Sequence, residues 1–256
     1  EEIAGSEEAF AIIMNDLARD IGLMNTNFTN STGMFHEDNY STVYDIALLS
    51  RYLINKFPNY YHLFAETEFE WSGIKQNNRN PLLYKEMGAD GLKTGHLSAS
   101  GYGLAASAVQ DGRRLISVTN GFSSSKKRSQ GSARLLTWGF REFTNINISR
   151  AGEVFSEIEI PLAKKMAQVT PSQDIKVTVS KANKDKIIKN IKLRPNISAP
   201  LTAGSVVATL EVVLSDTEKV NFDLETLNEV QKTGIIGRFF SFVINLITSL
   251  FSIIFS

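Results

Sequence analysis

The run Lys93-Thr94-Gly95-His96 combines residue types that could bind an anionic substrate next to an extended backbone. A lysine at a strand edge supplies positive charge, and a threonine hydroxyl can donate a hydrogen bond to the same anion. Glycine allows a second backbone to lie close against the strand. A backbone N–H just beyond the glycine could help to form an oxyanion hole, an effect typically of several kcal/mol. The run therefore predicts one wall of an active site.

The helices and strands around this run are predicted from apolar spacing and turn residues. Residues 6–22 are predicted to form an amphipathic helix, with Ser6 as its cap and Gly22 as its stop. A second helix is predicted from Ser41 to Ile54, ending before Pro58. Four strands and a helix are then predicted over residues 66–72, 91–96, 100–109, 113–121 and 125–143.

Antiparallel β structure is predicted on both sides of residue 145. Asp111-Gly112, between two of the predicted strands, is typical of a tight hairpin turn. Residues 146–230 alternate apolar and polar side chains, which predicts the short strands of a small all-β sandwich domain. The seven basic residues from Lys176 to Arg194 indicate solvated strand faces, or alternatively attraction to anionic lipid or wall polymer.

Residues 231–256 are predicted to form a C-terminal amphipathic helix. Small polar residues fall on one helical face, and the remainder of the segment is apolar. This pattern favours an in-plane anchor that contacts the membrane surface through residues 235–256. A spanning helix is the alternative, because roughly 22 residues reach about 33 Å at 1.5 Å each. A buried core helix is the third interpretation.

The composition excludes several classes of function. Hydrophobic residues make up 43% of the chain, which supports a folded core, and 27 basic residues balance 27 acidic ones, which argues against a nucleic-acid partner. The absence of cysteine excludes disulfides and thiol catalysis. The three histidines, including His36 in a polar loop, lack the spacing of a metal site, so we predict neither a metal nor a cofactor.

Several stretches resemble the low-molecular-mass penicillin-binding proteins, which are serine-type D-alanyl-D-alanine carboxypeptidases (peptidase S11-like). The resemblance covers essentially the whole chain and is carried by residues 3–10, 23–28, 78–80, 90–96 and 135–140. Lys-Thr-Gly is one motif of that superfamily. The resemblance implies an incomplete α/β (α+β) penicillin-binding/β-lactamase-like transpeptidase fold over residues 1–145, a β-rich second domain over residues 146–230, and an anchor helix over residues 231–256.

The resemblance also implies a reaction. In that family, the serine of a Ser-x-x-Lys motif attacks the penultimate D-Ala carbonyl of a peptidoglycan stem peptide, and the lysine acts as the base. The terminal D-Ala leaves, and water releases the acyl-enzyme. β-Lactam antibiotics mimic the D-Ala-D-Ala dipeptide and trap the acyl state.

Site residues follow from the resemblance by position. It implies that Lys93 and Thr94 orient the substrate, that Gly95 admits it, and that the N–H of His96 serves the oxyanion hole. Arg128 resembles the family's arginine near the terminal carboxylate of the substrate. In the same way, Arg79 resembles another arginine that borders the site. On sequence alone, either arginine could instead be surface charge or part of a salt bridge.

The chain departs from that family at the nucleophile. Segments that match Ser-x-x-Lys begin at Ser72, Ser123 and Ser124, but the first ends a predicted strand and the other two follow Lys-Thr-Gly. Ser98 and Ser100 have no lysine or histidine at a meaningful spacing, and Ser-x-Asn does not occur. We therefore expect a C-terminal portion that lacks the nucleophilic serine and its lysine base, is inactive alone, and exposes part of its first core.

Two functions remain open from the sequence. The first is a membrane-anchored carboxypeptidase that trims peptidoglycan at the periplasmic face of the bacterial inner (cytoplasmic) membrane, with this chain as its C-terminal part. The second is a non-catalytic, truncated module that binds wall peptide or holds partners near the membrane. A β-lactamase is disfavoured, since secreted β-lactamases resemble only the first domain of this chain.

Overall fold

The structure is a computed structural model that describes residues 2–234. These residues form two compact units that divide between Arg141 and Glu142. We predicted this division at residue 145, and it falls earlier because Phe143–Ser149 forms a strand that pairs with Ile175–Ser180 in the second unit. The anchor helix was predicted over residues 231–256, and residues 235–256 lie outside the described residues. Residues 231–234 are not helical, because Lys232 forms an isolated β-bridge with Ala163. Within residues 2–234, no helix is long and apolar enough to cross a membrane.

Helix α1, Glu7–Ile21, begins and ends at the residues that the sequence predicts. The Ser6 side chain accepts a hydrogen bond from the N–H of Ala9, which satisfies one of the free donors of the first turn. Gly22 adopts the left-handed conformation with φ 89°, and its N–H donates to carbonyls of the last turn. The predicted cap and stop are both confirmed.

Helix α2, Val43–Lys56, differs from its prediction at both ends. Its cap is Thr42, because the side chain of Thr42 accepts a hydrogen bond from the N–H of Asp45. At the other end, helical structure continues past Ile54 as far as Lys56. Pro58 then opens a one-turn helix α3, Pro58–Tyr61, since proline fits the first position of a helix.

The strand predicted over residues 66–72 is one arm of an antiparallel hairpin. β1 spans Glu68–Trp71 and β2 spans Ile74–Asn77, after a 3-10 turn at His62–Phe64. Ser72 and Gly73 have φ values of 50° and 75°, which a two-residue hairpin turn requires. Every residue of both strands is exposed.

A three-stranded antiparallel sheet completes the first unit together with helix α4, Ser125–Glu142. β3 spans Ala89–Leu97, β4 spans Gly101–Gln110 and β5 spans Arg113–Phe122, in the order β3-β4-β5. Asp111 and Gly112 have φ values of 50° and 72°, which confirms the predicted hairpin turn. The sheet and α4 share a small buried core of Leu82, Leu104, Ala106, Ala108 and Leu136.

The second unit consists of two antiparallel sheets, as predicted for a β-rich domain. Its strands are β6 (Phe143–Ser149), β7 (Ser156–Ile158), β8 (Ala167–Pro171), β9 (Ile175–Ser180), β10 (Ile188–Leu193), β11 (Val206–Val213) and β12 (Lys219–Thr226). The larger sheet has the order β10-β11-β12-β8-β7, and the smaller sheet pairs β6 with β9. Alternate residues of β9 and β11, including Val177 and Leu210, are buried in one hydrophobic core.

Candidate active site

The predicted run from Lys93 to His96 lies on β3 and lines a cavity of about 900 Å³. Arg79, from the loop between β2 and β3, and Arg128, from the beginning of α4, line the same cavity. The structure therefore brings all the predicted site residues together. Among the described strands β3 lies at the edge of its sheet, so its outer backbone groups can pair with a second extended chain.

The charge of this cavity is positive. Its described lining contains Arg79, Lys93 and Arg128 but neither Asp nor Glu. A concave surface lined by one sign of charge raises the local concentration of ligands of the opposite sign. The cavity is therefore suited to a ligand that carries a carboxylate or a similar anion.

Arg128 is the buried cation of the site, with only 6% of its surface exposed. Its Nη2 donates a hydrogen bond to Ser125 Oγ at 3.2 Å, whereas its Nε has no hydrogen-bond partner among the described residues. Burial lowers the pKa of the guanidinium, but an arginine pKa is high enough for Arg128 to stay cationic at neutral pH. A guanidinium that lines the cavity and has no carboxylate partner among the described residues is an arrangement that binds an anionic group.

Aromatic contacts connect β3 to this arginine. His96 and Tyr102 are opposite residues of β3 and β4, and their ring centroids lie 3.9 Å apart. The Cζ atom of Arg128 lies 5.7 Å from the centroid of the Tyr102 ring, within the range of a cation–π interaction. Tyr102 therefore contacts two site residues at once, and sequence reasoning missed it. The short turn between β3 and β4 could have indicated Tyr102, because a turn of that length pairs Tyr102 with His96.

Two glycines have different roles at this cavity. A Cβ atom built on Gly95 would meet no atom within 4 Å. A Cβ atom on Gly103, in β4, would lie 2.7 Å from Oδ1 of Asn120, which also lines the cavity. Gly103 thus makes room for a polar side chain of the protein, and Gly95 leaves room for a molecule outside it.

The loop that carries Arg79 is held by the asparagines on both sides of it. Asn78 Nδ2 donates to the carbonyl oxygen of Glu66 at 2.9 Å, and Asn80 Nδ2 donates to that of Gly91 at 2.8 Å. Asn80 is almost completely buried, whereas Arg79 is exposed. The backbone of Arg79 is therefore tied to the beginning of β3 while its side chain remains free to meet a ligand.

An ion pair fixes β3 at Asp90, three residues before Lys93. Arg114 Nη1 donates to the two carboxylate oxygens of Asp90 at 2.8 and 2.6 Å and to Ser107 Oγ at 2.6 Å. The hydroxyl of Tyr61 donates to the same carboxylate at 3.1 Å, and burial raises the pKa of Tyr61 to about 12. This cluster gives β3 a fixed position in the sheet, and the sequence offered no sign that these distant residues meet.

The serines with Ser-x-x-Lys spacing are engaged in other contacts or lie elsewhere. Ser72 lies in the hairpin turn between β1 and β2, and Ser124 Oγ accepts a hydrogen bond from the N–H of Lys127. Ser100 and Ser125 line the cavity, but no lysine amine within the described residues bonds to either hydroxyl. The site therefore has a binding surface without an activated serine among residues 2–234.

Two family models match the chain. The model of D-alanyl-D-alanine carboxypeptidases matches residues 1–124, within the first compact unit. The model of the C-terminal domain of penicillin-binding protein 5 matches residues 143–232, within the second. The two matches follow the division that the structure shows.

Individual relatives share the same description. The D-alanyl-D-alanine carboxypeptidase DacA of Haemophilus influenzae is 33% identical over 98% of this chain, and DacD of Salmonella typhimurium is 36% identical over 92%. The chain spans 65% and 61% of the lengths of these two relatives. The structure of penicillin-binding protein 5 from Haemophilus influenzae is 34% identical, with a TM-score of 0.81 over 91% of this chain and 69% of that one. The fold is therefore a mixed α/β penicillin-binding fold followed by a β-sheet domain.

Proposed function

Because the chain belongs to the D-alanyl-D-alanine carboxypeptidase family, we propose that it forms the substrate-binding part of an enzyme that removes the terminal D-Ala from peptidoglycan stem peptides. The reaction would run through a serine acyl-enzyme, which β-lactam antibiotics would trap as mimics of D-Ala-D-Ala. The observation that carries this proposal is the edge strand β3 beside the buried, cationic Arg128, in a cavity whose described lining has no carboxylate.

The substrate would bind as an extended chain along β3. Gly95 leaves space for its backbone, Thr94 would donate its hydroxyl, and the N–H of His96 would contribute to the oxyanion hole. The terminal carboxylate would bind the guanidinium of Arg128, which lines the cavity. Lys93 and Arg79 would add positive charge at the opening of the cavity.

A titration with matched ligands tests this binding mode. An N-acylated D-Ala-D-Ala dipeptide should bind the 256-residue chain, and its C-terminal amide should bind about 10- to 100-fold more weakly because it lacks the charge that Arg128 meets. In the variant Arg128→Gln, acid and amide should bind alike. Arg134→Gln, an exposed position on the same helix, is the control that should retain the preference. Equal binding of acid and amide by the unmodified chain would overturn the proposed recognition.

The acylation step needs a serine that a neighbouring base activates. Ser100 and Ser125 line the cavity, but the Lys93 amine bonds to the carbonyl oxygen of Thr94 instead, so we expect the chain alone to remain unmodified by excess penicillin in intact-mass analysis. A covalent adduct would contradict this expectation, and peptide mapping would identify the serine. The missing activated serine is also the observation that favours the alternative function, a non-catalytic module that binds wall peptide or partners near the membrane.

We also propose that residues 235–256 anchor the protein at the periplasmic face of the bacterial inner membrane. The support is the sequence pattern of an apolar segment with one narrow polar face. Flotation with lipid vesicles tests the association, which should withstand high salt because apolar burial does not depend on ionic strength. Recovery of all the protein in the vesicle-free fraction would contradict it.

A further inference from the structure

The chain leaves the second unit beside the loop that connects β7 to β8. The N–H of Lys164 donates to the carbonyl oxygen of Gln231 at 2.8 Å, and the N–H of Thr233 donates to that of Leu162 at 2.8 Å. The Thr233 hydroxyl donates to the carbonyl oxygen of Ala163 at 2.7 Å. These bonds hold the loop against the segment that leads into residues 235–256. The loop therefore lies beside the point from which the chain continues into residues 235–256.

Three lysines lie at this exit without ionic partners. Lys164, Lys165 and Lys232 are exposed, and none forms an ion pair among the described residues. Lys164 and Lys165 line a cavity of about 460 Å³ that also contains Glu157 and Glu229. Since neither carboxylate lies within ion-pairing distance, the three ammonium groups are available to an external anion.

Exposed apolar side chains accompany these lysines. Leu162 is 41% exposed and has a left-handed backbone with φ 62°, a conformation that disfavours a side chain with Cβ. Met166, on the other side of the lysine pair, is 56% exposed. Cationic groups interspersed with apolar side chains match a lipid surface, which presents phosphates above hydrocarbon.

From this arrangement we infer that Leu162, Lys164, Lys165, Met166 and Lys232 form a lysine platform that binds anionic phospholipid headgroups. The inference rests on the proposed membrane association of residues 235–256 and adds a specific contact to it. The net charge of the whole chain is zero, so attraction to anionic lipid requires a local group of basic residues; the platform is one such group, and the basic run from Lys176 to Arg194 is the other. A lysine close to an anionic membrane strengthens binding about fivefold.

Vesicle partitioning of the full chain tests the platform. Vesicles of phosphatidylcholine alone are compared with vesicles of equal parts phosphatidylcholine and phosphatidylglycerol, at low and at high salt. The unmodified chain should prefer the anionic vesicles at low salt. The variant Lys164→Gln/Lys165→Gln/Lys232→Gln should lose this preference, with binding to anionic vesicles weaker by about 100-fold, and should bind phosphatidylcholine as before.

A matched control removes the same charge elsewhere in the second unit. Lys184→Gln/Lys186→Gln/Lys189→Gln changes three exposed lysines at the 3-10 turn and β10 and should retain the preference for anionic vesicles. A second variant, Leu162→Asn, keeps a residue that tolerates the left-handed backbone but removes the apolar side chain. It should weaken binding to both kinds of vesicle.

The outcomes separate the two proposals. If the chain binds neither kind of vesicle, both the proposed membrane association and the proposed platform are wrong. If the chain binds vesicles but the triple platform variant retains its preference for anionic lipid, the association stands and the platform is overturned. Loss of the preference in the control variant instead would assign the anionic contact to the basic run from Lys176 to Arg194.

Discussion

At the scale of one residue, a side chain added at Gly95 should weaken ligand binding without changing the stability of the fold. A methyl group there would meet no protein atom within 4 Å, so Gly95→Ala should change the free energy of unfolding by less than about 0.5 kcal/mol. The same methyl group would occupy the space reserved for a ligand backbone and should weaken binding of N-acylated D-Ala-D-Ala at least about tenfold. Urea unfolding and ligand titration measure the two effects. Unchanged affinity would mean that the ligand does not cross β3 at this residue.

At Gly88, in contrast to Gly95, the neighbouring backbone leaves no room for a side chain. The φ of Gly88 is 73°, and a Cβ atom would overlap the carbonyl oxygen of Val109. Gly112 has a similar φ of 72°, but a Cβ atom there would meet no atom within 4 Å. Gly112→Ala should therefore cost about 1 kcal/mol from backbone strain alone, and Gly88→Ala should cost at least twice as much in urea unfolding. Equal costs would show that β4 moves away from Gly88 freely.

The site residues that their own chemistry revealed are contiguous in the chain, whereas Arg79 and Arg128 followed only from the family resemblance. Lys93, Thr94 and Gly95 form one run, so their joint presence at a cavity could be predicted before any fold was known. Tyr102 and Asn120 could not be found in this way. The position of Tyr102 depends on its register against His96, and the room for Asn120 depends on the missing side chain of Gly103.

At the scale of elements, Asp45 joins the loop after α1 to the beginning of α2. Its Oδ2 accepts hydrogen bonds from the Thr26 hydroxyl at 2.7 Å and from the N–H of Asn25 at 2.8 Å, and the Thr26 bond above all lowers the pKa of the Asp45 carboxyl. Stabilisation from a lowered pKa is present above the unfolded-state value of about 3.9 and is lost as the pH falls through the folded-state value.

Asp45→Asn should therefore lower the melting temperature at neutral pH. The difference from the unmodified chain should begin to shrink as the pH falls below about 4, where the unfolded carboxyl takes up its proton, and should vanish only below the lower folded-state pKa, where the native carboxyl is also uncharged. Thermal melts of both proteins across this pH range measure the effect. A difference that stays constant down to about pH 3 would assign the loss to packing instead of the charge.

Local signals predicted the elements where capping or turn chemistry was unambiguous. Ser6 and Gly22 define α1 because each satisfies free backbone groups by itself. The prediction was wrong in extent at residues 66–72, where Ser72-Gly73 is a turn signal inside a segment of strand-forming residues. Pro58 could either stop a helix or begin one, and only the neighbouring structure decides between these roles.

The whole molecule has two hydrophobic cores among its described residues, one in each compact unit. Leu210 belongs to the core of the second unit and Leu104 to that of the first, and both are almost completely buried. Leu210→Ala and Leu104→Ala should each cost about 2–5 kcal/mol, and calorimetry should show that they lower different thermal transitions. A single transition lowered equally by both variants would contradict independent cores.

The sequence predicted the order of domains better than the limits of their cores. Alternation over residues 146–230 indicated the β-sheet unit, but β6 begins at Phe143 because its partner β9 lies beyond any local window. The first unit exposes large apolar side chains such as Phe35, Tyr44 and Trp71, as expected for an incompletely covered core. The exposure of these side chains depends on which helices and strands pack against each other, and no local segment of the sequence determines that packing.

At Leu162, a substitution that raises the stability of the protein should also weaken its contact with the membrane. A left-handed backbone costs a residue with Cβ about 1–2 kcal/mol, and a glycine at this position would remove that cost. A screen for heat resistance in solution would therefore select against the leucine, because its proposed contact with lipid cannot form there. Variants improved in this way would tolerate heat better and leave the bilayer more easily, so the two traits should be selected together, with vesicles in the assay.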